Sequence, residues 1–586
     1  MNIPKAHRSR FSLHHMTTLW DKTVLLCLGL TLALISSGVR AAENESAAAP
    51  EPTTSPVLRQ ILIADSVEGA QALNPVPGGG FVVLAPSLSF LDADELTKRL
   101  AEGENRVVDD RLLVAIARVV EAAVRQQDFP IATAIIPVQN IGEGGLRVAV
   151  LLGKFREIKF QGNRWFSESL LRDKLHVEQG EIIRLSDLDR AVSWTNNNPF
   201  RRVRVHIDPI PNTGEANLIV GVQERLPLRL LTSYDNGGND VIGNSRFTAA
   251  VSYANLWGLD HQGSYQFITT DEPRYFQGHG IDYRVPLSWR HYLQFSASYM
   301  HAQPELYDGF FVHDGETITS DIRYTVPLRG GVNPAEAFAA LTFKQSNNNL
   351  SWDPTGNRLQ VFGTKTDIFQ LSMGGSIVRR DKRGAWALSG SITASPGGIN
   401  SRNTDAAFDA ARHGGEDSAR IGATASYIFG SISVQRLLTL APGWDLMSRA
   451  VVQVSQANLL PSEQLTIGGA STVRGFNENI FAGDHGFVFT TDFLAPPLKK
   501  SLPYLSKKGG PLETRFLAFF DVADTAVRRR FPTDTPRPTL AGAGVGVRMS
   551  LGTHFSMMAD YGWQLTDLPY AVEDHSRAHI KATLAF

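Results

Sequence analysis

The chain has 586 residues, enough for several domains, and 57 basic against 58 acidic side chains give a formal net charge of −1. This balance argues against a nucleic-acid-binding protein. The mean hydropathy of −0.12 is too polar for a membrane protein built from helices. A transmembrane barrel, which has apolar residues at every second position, resembles a soluble protein in composition and stays compatible with these values.

The N-terminus has the features of a secretory signal peptide. Residues 23–35, TVLLCLGLTLALI, form an apolar run that basic residues precede. The run is shorter than the ~20 residues of a spanning helix, and Val-Arg-Ala at 39–41 offers a small-residue cleavage site. We therefore interpret 1–41 as a signal peptide. The single cysteine, Cys27, lies inside it, so the mature chain would contain no cysteine, which suits an oxidising compartment.

A linker and two small α+β modules are predicted next. Residues 42–80 are interpreted as a linker, because 42–56 are rich in Ala, Pro, Glu and Thr, with a short helix in the apolar positions that follow. In the first module, 81–153, an amphipathic helix over 109–126 precedes two β-type runs. The second module, 154–225, contains the strand FREIKFQGN, two helices, the segment NNNPFR, and the strands RRVRVHI and ANLIVGVQE.

Residues 226–586 predict a β-barrel, because they contain period-2 runs separated by turn signals and no convincing helix. In one such run Ile281, Tyr283 and Val285 share a face, while Asp282 and Arg284 share the other. At roughly 20–25 residues for each strand and its connection, the segment accommodates about 14–18 antiparallel strands. Long polar loops would lie outside the cell and short turns in the periplasm.

Motifs for catalysis, cofactors and metals are missing from the sequence, which has no nucleophile elbow, Walker loop, zinc-protease motif or cysteine-based metal spacing. GAGVGV at 542–547 lies within an alternating run, so we interpret its glycines as small residues facing a lumen. His575 and His579 share a strand face, and we interpret them as solvated residues near the barrel rim. The sequence predicts no catalytic residues, no cofactor and no metal.

The stretch 465–486, LTIGGASTVRGFNENIFAGDHG, lies between two alternating segments and differs from both. It is too rich in Gly and Asn for a strand and too long for a hairpin turn. An Arg-Gly pair alone, here Arg474 and Gly475, also fits a solvent-exposed turn. Taken whole, GGxxxVRGF followed by a Gly-Asp-x-Gly turn resembles the signature of the outer-membrane transporters of two-partner secretion. This is the TpsB family, which includes ShlB/FhaC/HecB-like haemolysin secretion/activation proteins.

Other segments support this resemblance and extend it. The run around IIPVQN resembles the first polypeptide-transport-associated (POTRA) domain of the family, and IKFQGN with NNNPFR resembles the second. The resemblance implies a barrel of sixteen strands and a VRGF loop that folds back into its lumen. It also implies a helix that plugs the barrel, for which 42–80 is the available segment.

The site residues are implied by the same resemblance. In RFLAFFDVAD, Asp521 shares a face with Arg515 and Phe519, and the family aspartate at this place holds the loop arginine, so Arg474 is paired with Asp521. Ala523 stands where the family has glycine. The remaining motif residues are Gly468, Gly469, Val473, Gly475, Phe476 and Asp484. The last strand, with Ile580, Leu584 and the terminal Phe586 facing lipid, resembles the signal by which outer-membrane barrels are inserted.

The resemblance implies a pore in the bacterial outer membrane that passes a partner exoprotein from the periplasm to the cell surface without ATP. The partner would be TpsA-like, such as a β-helical adhesin or a cytolysin, and no nucleic acid is involved. Barrel-assembly machinery and periplasmic chaperones would serve its biogenesis. One alternative is a barrel-insertion factor of the same superfamily, against which the two POTRA domains and NNNPFR count. Another is a barrel enzyme such as a lipase, for which no nucleophile–base pair is evident.

Overall fold

The structure, a computed structural model, describes residues 56–586 except 142–143, 212, 239–240, 307–310, 332, 353–358, 416, 502–509, 533–536 and 569–574. The predicted signal peptide, Cys27 and most of the predicted linker lie outside the described residues. Within them, no helix is long and apolar enough to cross a membrane.

The N-terminal part contains the helices α1 (Val67–Ala72), α2 (Ala93–Leu100), α3 (Asp110–Gln126), α4 (Glu168–Leu175) and α5 (Leu185–Thr195). Its strands are β1 (Gln60–Ala64), β2 (Val82–Leu84), β3 (Ala132–Ile135), β4 (Gly145–Leu152), β5 (Lys154–Gln161), β6 (Arg201–Ile210) and β7 (Glu215–Glu224).

The C-terminal part continues with β8 (Leu228–Asp235), β9 (Arg246–Leu256), β10 (His261–Thr270), β11 (Phe276–Pro286), β12 (Tyr292–Ala302), β13 (Glu305–Leu306), β14 (Phe311–Arg329), β15 (Ala335–Trp352), β16 (Leu359–Asp381) and β17 (Gly384–Ser395). After the short helix α6 (Asp405–Phe408) come β18 (Tyr427–Ala441), β19 (Trp444–Ser455), β20 (Leu465–Ile467), β21 (Phe481–Gly483), β22 (His485–Leu494), β23 (Leu498–Lys500), β24 (Leu512–Ala526), β25 (Leu540–Leu551), β26 (Phe555–Gln564) and β27 (Ser576–Ala585).

The first module is a four-stranded sheet in the order β2-β1-β4-β3, covered by α2 and α3. The predicted amphipathic helix is present as α3, and the Asp109 carboxylate caps it by accepting from the Leu112 backbone N–H at 2.7 Å. Ile116, Val120 and Val124 on one face of α3 are buried in the module core, as the helical spacing of apolar residues requires.

The prediction that 42–80 is a linker with a plug helix is wrong for its described part. The segment QILIA forms β1, which is buried along its whole length and runs parallel to both β2 and β4. The short helix α1 packs against β4 through Ala70 and Ala149, so it belongs to this module and does not plug the barrel. An unbroken apolar run is typical of a strand buried on both faces, and it lacks the alternation that marks a half-exposed strand.

The second module is a three-stranded sheet in the order β5-β7-β6, packed against α4 and α5. The Ser167 hydroxyl caps α4 by accepting from the Leu170 N–H at 3.2 Å. At α5 the cap comes from the first module, because the Asp128 carboxylate accepts from the backbone N–H and hydroxyl of Ser186 at 2.7 and 2.5 Å. The bond to the Ser186 hydroxyl is the main cause of a lowered pKa for Asp128. The two modules are therefore joined by a polar contact as well as by the chain.

The second module contacts the end of the barrel through the segment NNNPFR. Arg201 forms two hydrogen bonds, at 2.6 and 2.8 Å, with the carboxylate of Asp260, which lies in the turn between β9 and β10. Asn198 donates to the same carboxylate at 2.8 Å. Lys174 of α4 lies 3.8 Å from it, and burial lowers the pKa of this lysine while Asp260 opposes the shift. This buried charge cluster fixes the start of β6 at one mouth of the barrel.

The barrel is closed and antiparallel, and the sixteen strands implied by the resemblance are confirmed. They are β8–β12, β14–β19, β22 and β24–β27, while β13 and β23 are short pieces beside β14 and β24. Pairing of β27 with β8 closes the barrel. Apolar side chains on the outer face are exposed, among them Ile281, Ile322, Leu341, Ile392 and Ile432. The predicted alternation therefore places an apolar surface outside and polar groups inside.

Candidate functional site: the loop between β19 and β22

Residues 456–484, here called the inward loop, connect β19 to β22 and pack against the inner wall of the barrel. β20 and β21 pair at the base of the loop. Its apolar side chains form a core with residues of the neighbouring strands, and this core consists of Ile467, Val473, Phe476, Phe481, Val488, Ala523 and Leu540. Because Phe476 is fully buried and Arg474 is 5% exposed, the motif does not form a solvent-exposed turn.

Arg474 contacts the predicted partner Asp521 and two further carboxylates. Its Nε and Nη2 donate to the two Asp521 carboxylate oxygens at 2.7 and 2.8 Å, and its backbone N–H donates to Oδ2 at 3.1 Å. Nη2 also donates to Asp492 at 2.6 Å, and Nη1 donates to Asp560 at 3.3 Å. We call Arg474 with these three aspartates the anchor. The anchor thus spans β22, β24 and β26.

The anchor is enclosed by an aromatic ring and a second arginine. The Arg474 guanidinium lies 3.6 Å from the centre of the Phe519 ring, a cation–π contact that strengthens when water is excluded. Arg548 binds Asp560 through two hydrogen bonds at 2.5 and 2.9 Å. Two guanidinium groups therefore face three carboxylates. Pairing and hydrogen bonds of this kind offset the desolvation free energy that buried charges cost.

Glycines in the barrel wall leave room for the tip of the loop. Gly475 has φ +98°, a conformation that favours glycine. A side chain at Gly562 would place its Cβ 2.6 Å from the Gly475 nitrogen, and one at Gly542 would collide with the Arg474 carbonyl. The lumen side of GAGVGV needs a small residue at Gly542 because the backbone of the loop lies directly against it.

His579 is not the solvated rim residue that the sequence suggested. It is 1% exposed, and its Nε2 accepts a hydrogen bond from the Gly475 N–H at 3.2 Å. Gln564 donates to the Gly475 carbonyl at 2.9 Å. The alternation of the last strand does predict that His579 faces inward, but the loop that covers it comes from about 100 residues earlier. No group of residues suited to a metal ion occurs in the described part of the chain.

Asp484, at the other end of the motif, fastens the base of the inward loop to two other loops. Its buried carboxylate accepts from Arg420 at 2.5 and 3.0 Å and from the backbone N–H groups of Leu459 and Arg528, both at 2.9 Å. Arg420 belongs to residues 396–426, the long connection between β17 and β18, here called the outer loop. Asp484 is thus an ion-pair partner and not only a turn residue.

The other glycines of the motif allow tight backbone turns. Gly468 and Gly469 have φ of +102° and +98°, and a side chain at Gly469 would collide with the Glu478 carboxylate. That carboxylate accepts from the Ala470 N–H at 2.8 Å. The loop therefore carries its own internal hydrogen bond in addition to the anchor.

The outer loop lies at the end of the barrel opposite the two modules and contacts β16 and the inward loop. Asn403 and Asn400 donate to the backbone carbonyl and carboxylate of Asp367 on β16, both at 2.9 Å. Phe408 of α6 packs with Tyr427, Leu459 and Leu460 in an apolar cluster. The outer loop and inward loop share this cluster and the Arg420–Asp484 ion pair, so they form one joined unit, here called the cover.

The predicted insertion residues lie at the seam where the barrel closes. Ile580 and Leu584 are 40% and 43% exposed on the outer face, and Phe586 is 72% exposed. The Phe586 backbone exchanges two hydrogen bonds with Leu230, at 2.9 and 3.0 Å. Their role in insertion stays a prediction.

A family model described as "Haemolysin secretion/activation protein ShlB/FhaC/HecB" matches residues 214–549. The POTRA model, described as "Surface antigen variable number repeat", matches residues 153–225. The outer membrane transporter CdiB of Dickeya dadantii is 22% identical, with 62% of each chain aligned. The outer membrane transporter CdiB-2 of Burkholderia pseudomallei is also 22% identical, over 77% of this chain and 73% of its own length.

Among solved structures, CdiB from Escherichia coli aligns with a TM-score of 0.65 at 17% identity, covering 92% of this chain and 93% of its own. At this identity the alignment shows a shared fold. The chain spans 62% of the length of the CdiB of Dickeya dadantii.

Proposed function

The chain belongs to the haemolysin secretion/activation protein family ShlB/FhaC/HecB, and we propose that it is the pore through which a partner exoprotein leaves the cell. It lies in the bacterial outer membrane, with its POTRA region in the periplasm. It is a member of a secretion family and not an enzyme. The observation that carries the proposal is a closed barrel whose lumen holds a loop by a buried arginine.

The two N-terminal modules form the periplasmic receptor for the exoprotein. The family match covers the second module, and we propose that the first, described residues 57–153, is a POTRA domain as well. In both, helices pack against a small sheet. An unfolded exoprotein segment would add as a strand to an exposed sheet edge, a mode in which backbone hydrogen bonds supply the affinity.

The anchor sets the width of the conduit. With Arg474 bound to three strands on one wall, the inward loop occupies one side of the lumen and leaves the rest for an extended chain. Breaking the anchor would let the loop swing into the conduit or out of the barrel. The cover formed by the outer loop and inward loop must open at its Arg420–Asp484 pair before a chain can leave.

Export needs no nucleotide in this scheme. The sequence has no nucleotide-binding motif, and folding of the exoprotein outside the cell would make the passage directional. The partner would be TpsA-like, such as an adhesin or cytolysin. Biogenesis of the barrel would use the barrel-assembly machinery and periplasmic chaperones, with Phe586 in the recognised terminal strand.

The test is a comparison of secreted proteins. Deleting the gene should remove one or a few large proteins from the culture medium, and they should reappear on complementation with the intact gene but not with Arg474→Ala. If the secreted proteins are unchanged by the deletion under conditions where the barrel is abundant in the outer membrane, the proposal is wrong.

A further inference from the structure

The sheet edges of the two modules differ in how far they are open to an added strand. In the first module, the outer edge of β3 is occupied by α3. The Glu121 carboxylate accepts from the Ala134 N–H at 3.0 Å, and Arg125 donates to the Ala132 carbonyl at 2.8 Å. These side chains also pair with each other at 3.3 Å. Two of the outward backbone groups of β3 are therefore already bonded, and α3 lies along this edge.

In the second module, the outer edge of β5 is partly covered. Its start is bonded to the segment before α5, where the Phe155 N–H donates to the Glu181 carbonyl at 3.0 Å. Further along, Arg172 of α4 lies 3.5 Å from the Ile158 carbonyl oxygen and 5.2 Å from the centre of the Phe160 ring. This edge offers little room for another strand.

The outer edge of β6 shows which of its backbone groups point away from β7. The Asn196 side-chain amide accepts from the Val203 N–H at 2.6 Å and donates to the Val203 carbonyl at 2.9 Å. Val203 therefore directs both backbone groups outward. Because the direction alternates along an antiparallel strand, Val205 and Ile207 also direct theirs outward. No strand pairs with this side of β6 among the described residues.

The open part of β6 has defined limits. At Val203 the Asn196 side chain forms the two hydrogen bonds that a neighbouring strand would otherwise form. Pro209 has no backbone N–H and cannot donate to a neighbouring strand. Between them, Val205 and Ile207 leave two N–H and two carbonyl groups for an incoming segment. By comparison, β2 has three residues (Val82–Leu84) and is followed by Pro86, and none of its side chains is charged.

The side chains on the solvent face of β6 add a charge preference. Arg202 and Arg204 alternate with buried or half-buried Val203 and Val205, and both arginines are exposed. His206 and Asp208 continue the same face, so the positive charge lies in the first half of the strand. Neither arginine forms an ion pair with another residue that the structure describes. Directly opposite side chains on neighbouring strands lie about 4.5–5.5 Å apart, and opposite charges there are stabilising.

We propose that β6 is the strand on which the exported chain docks, and that it selects an extended segment with acidic side chains at the two alternate positions opposite Arg202 and Arg204. This proposal rests on the proposed function and names the chemistry of the docked segment. The strand begins at Arg201, which the Asp260 ion pair fixes at the barrel mouth. A segment paired antiparallel to β6 would therefore run toward the barrel entrance.

Fluorescent peptides of about eight residues test the proposal on the full-length chain in detergent. One peptide carries two glutamates separated by one residue and threonine at its other positions, and matched peptides carry glutamine or lysine instead of glutamate. Anisotropy should give the tightest binding for the glutamate peptide, with each acidic position contributing about fivefold or less. Arg204→Glu should remove or reverse the preference. The matched control is Arg118→Glu, the same charge change at an exposed position on α3, which should leave it intact.

A second variant tests the backbone part of the proposal. Val205→Pro removes an outward N–H while leaving the β6–β7 ladder bonds in place, and it should weaken all three peptides together. If the variant loses its fold, Arg202→Glu with Arg204→Glu decides the question. Equal binding of the three peptides, or an unchanged preference in Arg204→Glu, overturns the proposal.

Secretion by the same variants separates this proposal from the proposed function. Normal export in Val205→Pro and Arg204→Glu together with lost export in Arg474→Ala refutes docking on β6 and keeps the pore. Unchanged export after deletion of the whole gene refutes the pore itself.

Discussion

Replacing Arg474 with alanine should release the inward loop without unfolding the barrel. The substitution leaves Asp492, Asp521 and Asp560 facing one another with only Arg548 to neutralise them. Removing one member of a buried, hydrogen-bonded charge cluster costs about 3–5 kcal/mol. That cost shifts the balance between the held and released loop by roughly two to four orders of magnitude. The sixteen-stranded ladder does not depend on this contact, so barrel abundance should stay near normal.

The three aspartates should matter in the order of their bonds to Arg474. Asp521 accepts three hydrogen bonds from it, and Asp492 and Asp560 accept one each. Asp521→Ala should therefore be milder than Arg474→Ala, because two carboxylates remain for the guanidinium. A charge exchange between positions 474 and 521 should not restore function, because the new aspartate would face Asp492 and Asp560.

The assay combines three readouts on each variant. Heat-modifiable mobility measures the amount of folded barrel, and the amount of exoprotein in the medium measures export. Planar-bilayer conductance shows whether the inward loop is held against the wall or released. The matched control is Arg515→Ala on β24, the strand of Asp521, which loses a lumen-facing arginine bound to Asp445 and to the carbonyls of Gly443 and Ala495. Arg474→Ala should raise and destabilise the conductance and abolish most export, unlike the control. Wild-type conductance and export in Arg474→Ala would refute the reasoning.

Three further results are expected. Arg420→Ala should raise conductance with normal barrel abundance, because it removes the ion pair between the outer and inward loops; an unchanged conductance would mean that the two loops do not close the exit. Phe586→Ser should lower the amount of heat-modifiable barrel, since it alters the end of the closing strand, and normal abundance with lost secretion would contradict an insertion role. The contact between the two modules should be fully present above the ordinary carboxyl pKa of about 3.9 and lost as the pH falls through the lowered pKa of Asp128, because the ionised carboxylate is the form that the Ser186 hydrogen bonds stabilise. Spin-label distances between the modules should broaden in acid, and Asp128→Asn should broaden them at every pH; identical distributions in the variant would refute the contact.

The barrel was predictable because its signal is local. Alternation along each strand indicates which residues face lipid, and the VRGF motif identifies the loop that folds into the lumen. The same alternation places Asp492 and Asp560 on the inner faces of β22 and β26. It does not state their height along the barrel, which depends on strand register. For that reason the sequence pointed to one carboxylate partner of Arg474 and missed the other two.

Contacts between distant segments account for the remaining errors. The sequence predicts a linker at β1 because its apolar run has no period and its partner β4 lies far along the chain. The Arg420–Asp484 pair joins two long loops, and nothing in the spacing of either residue indicates it. The sequence predicts His579 as a rim residue because the loop that covers it is distant in sequence. For Asp484 and His579 the sequence predicts the turn and the strand correctly and lacks only the partner, whereas for β1 it also misses the strand.

The central claim is that an exported chain passes through the lumen beside the inward loop. A photo-crosslinking amino acid at Ser471, exposed in the lumen next to the anchor, tests this during export of a partner protein stalled by a fused folded domain. The matched control position is Val545, which is 52% exposed on the lipid-facing side of β25. We expect crosslinks to the stalled protein from position 471 and none from position 545. Crosslinks from 545 alone, or from neither position while the protein is stalled in the pore, would contradict it.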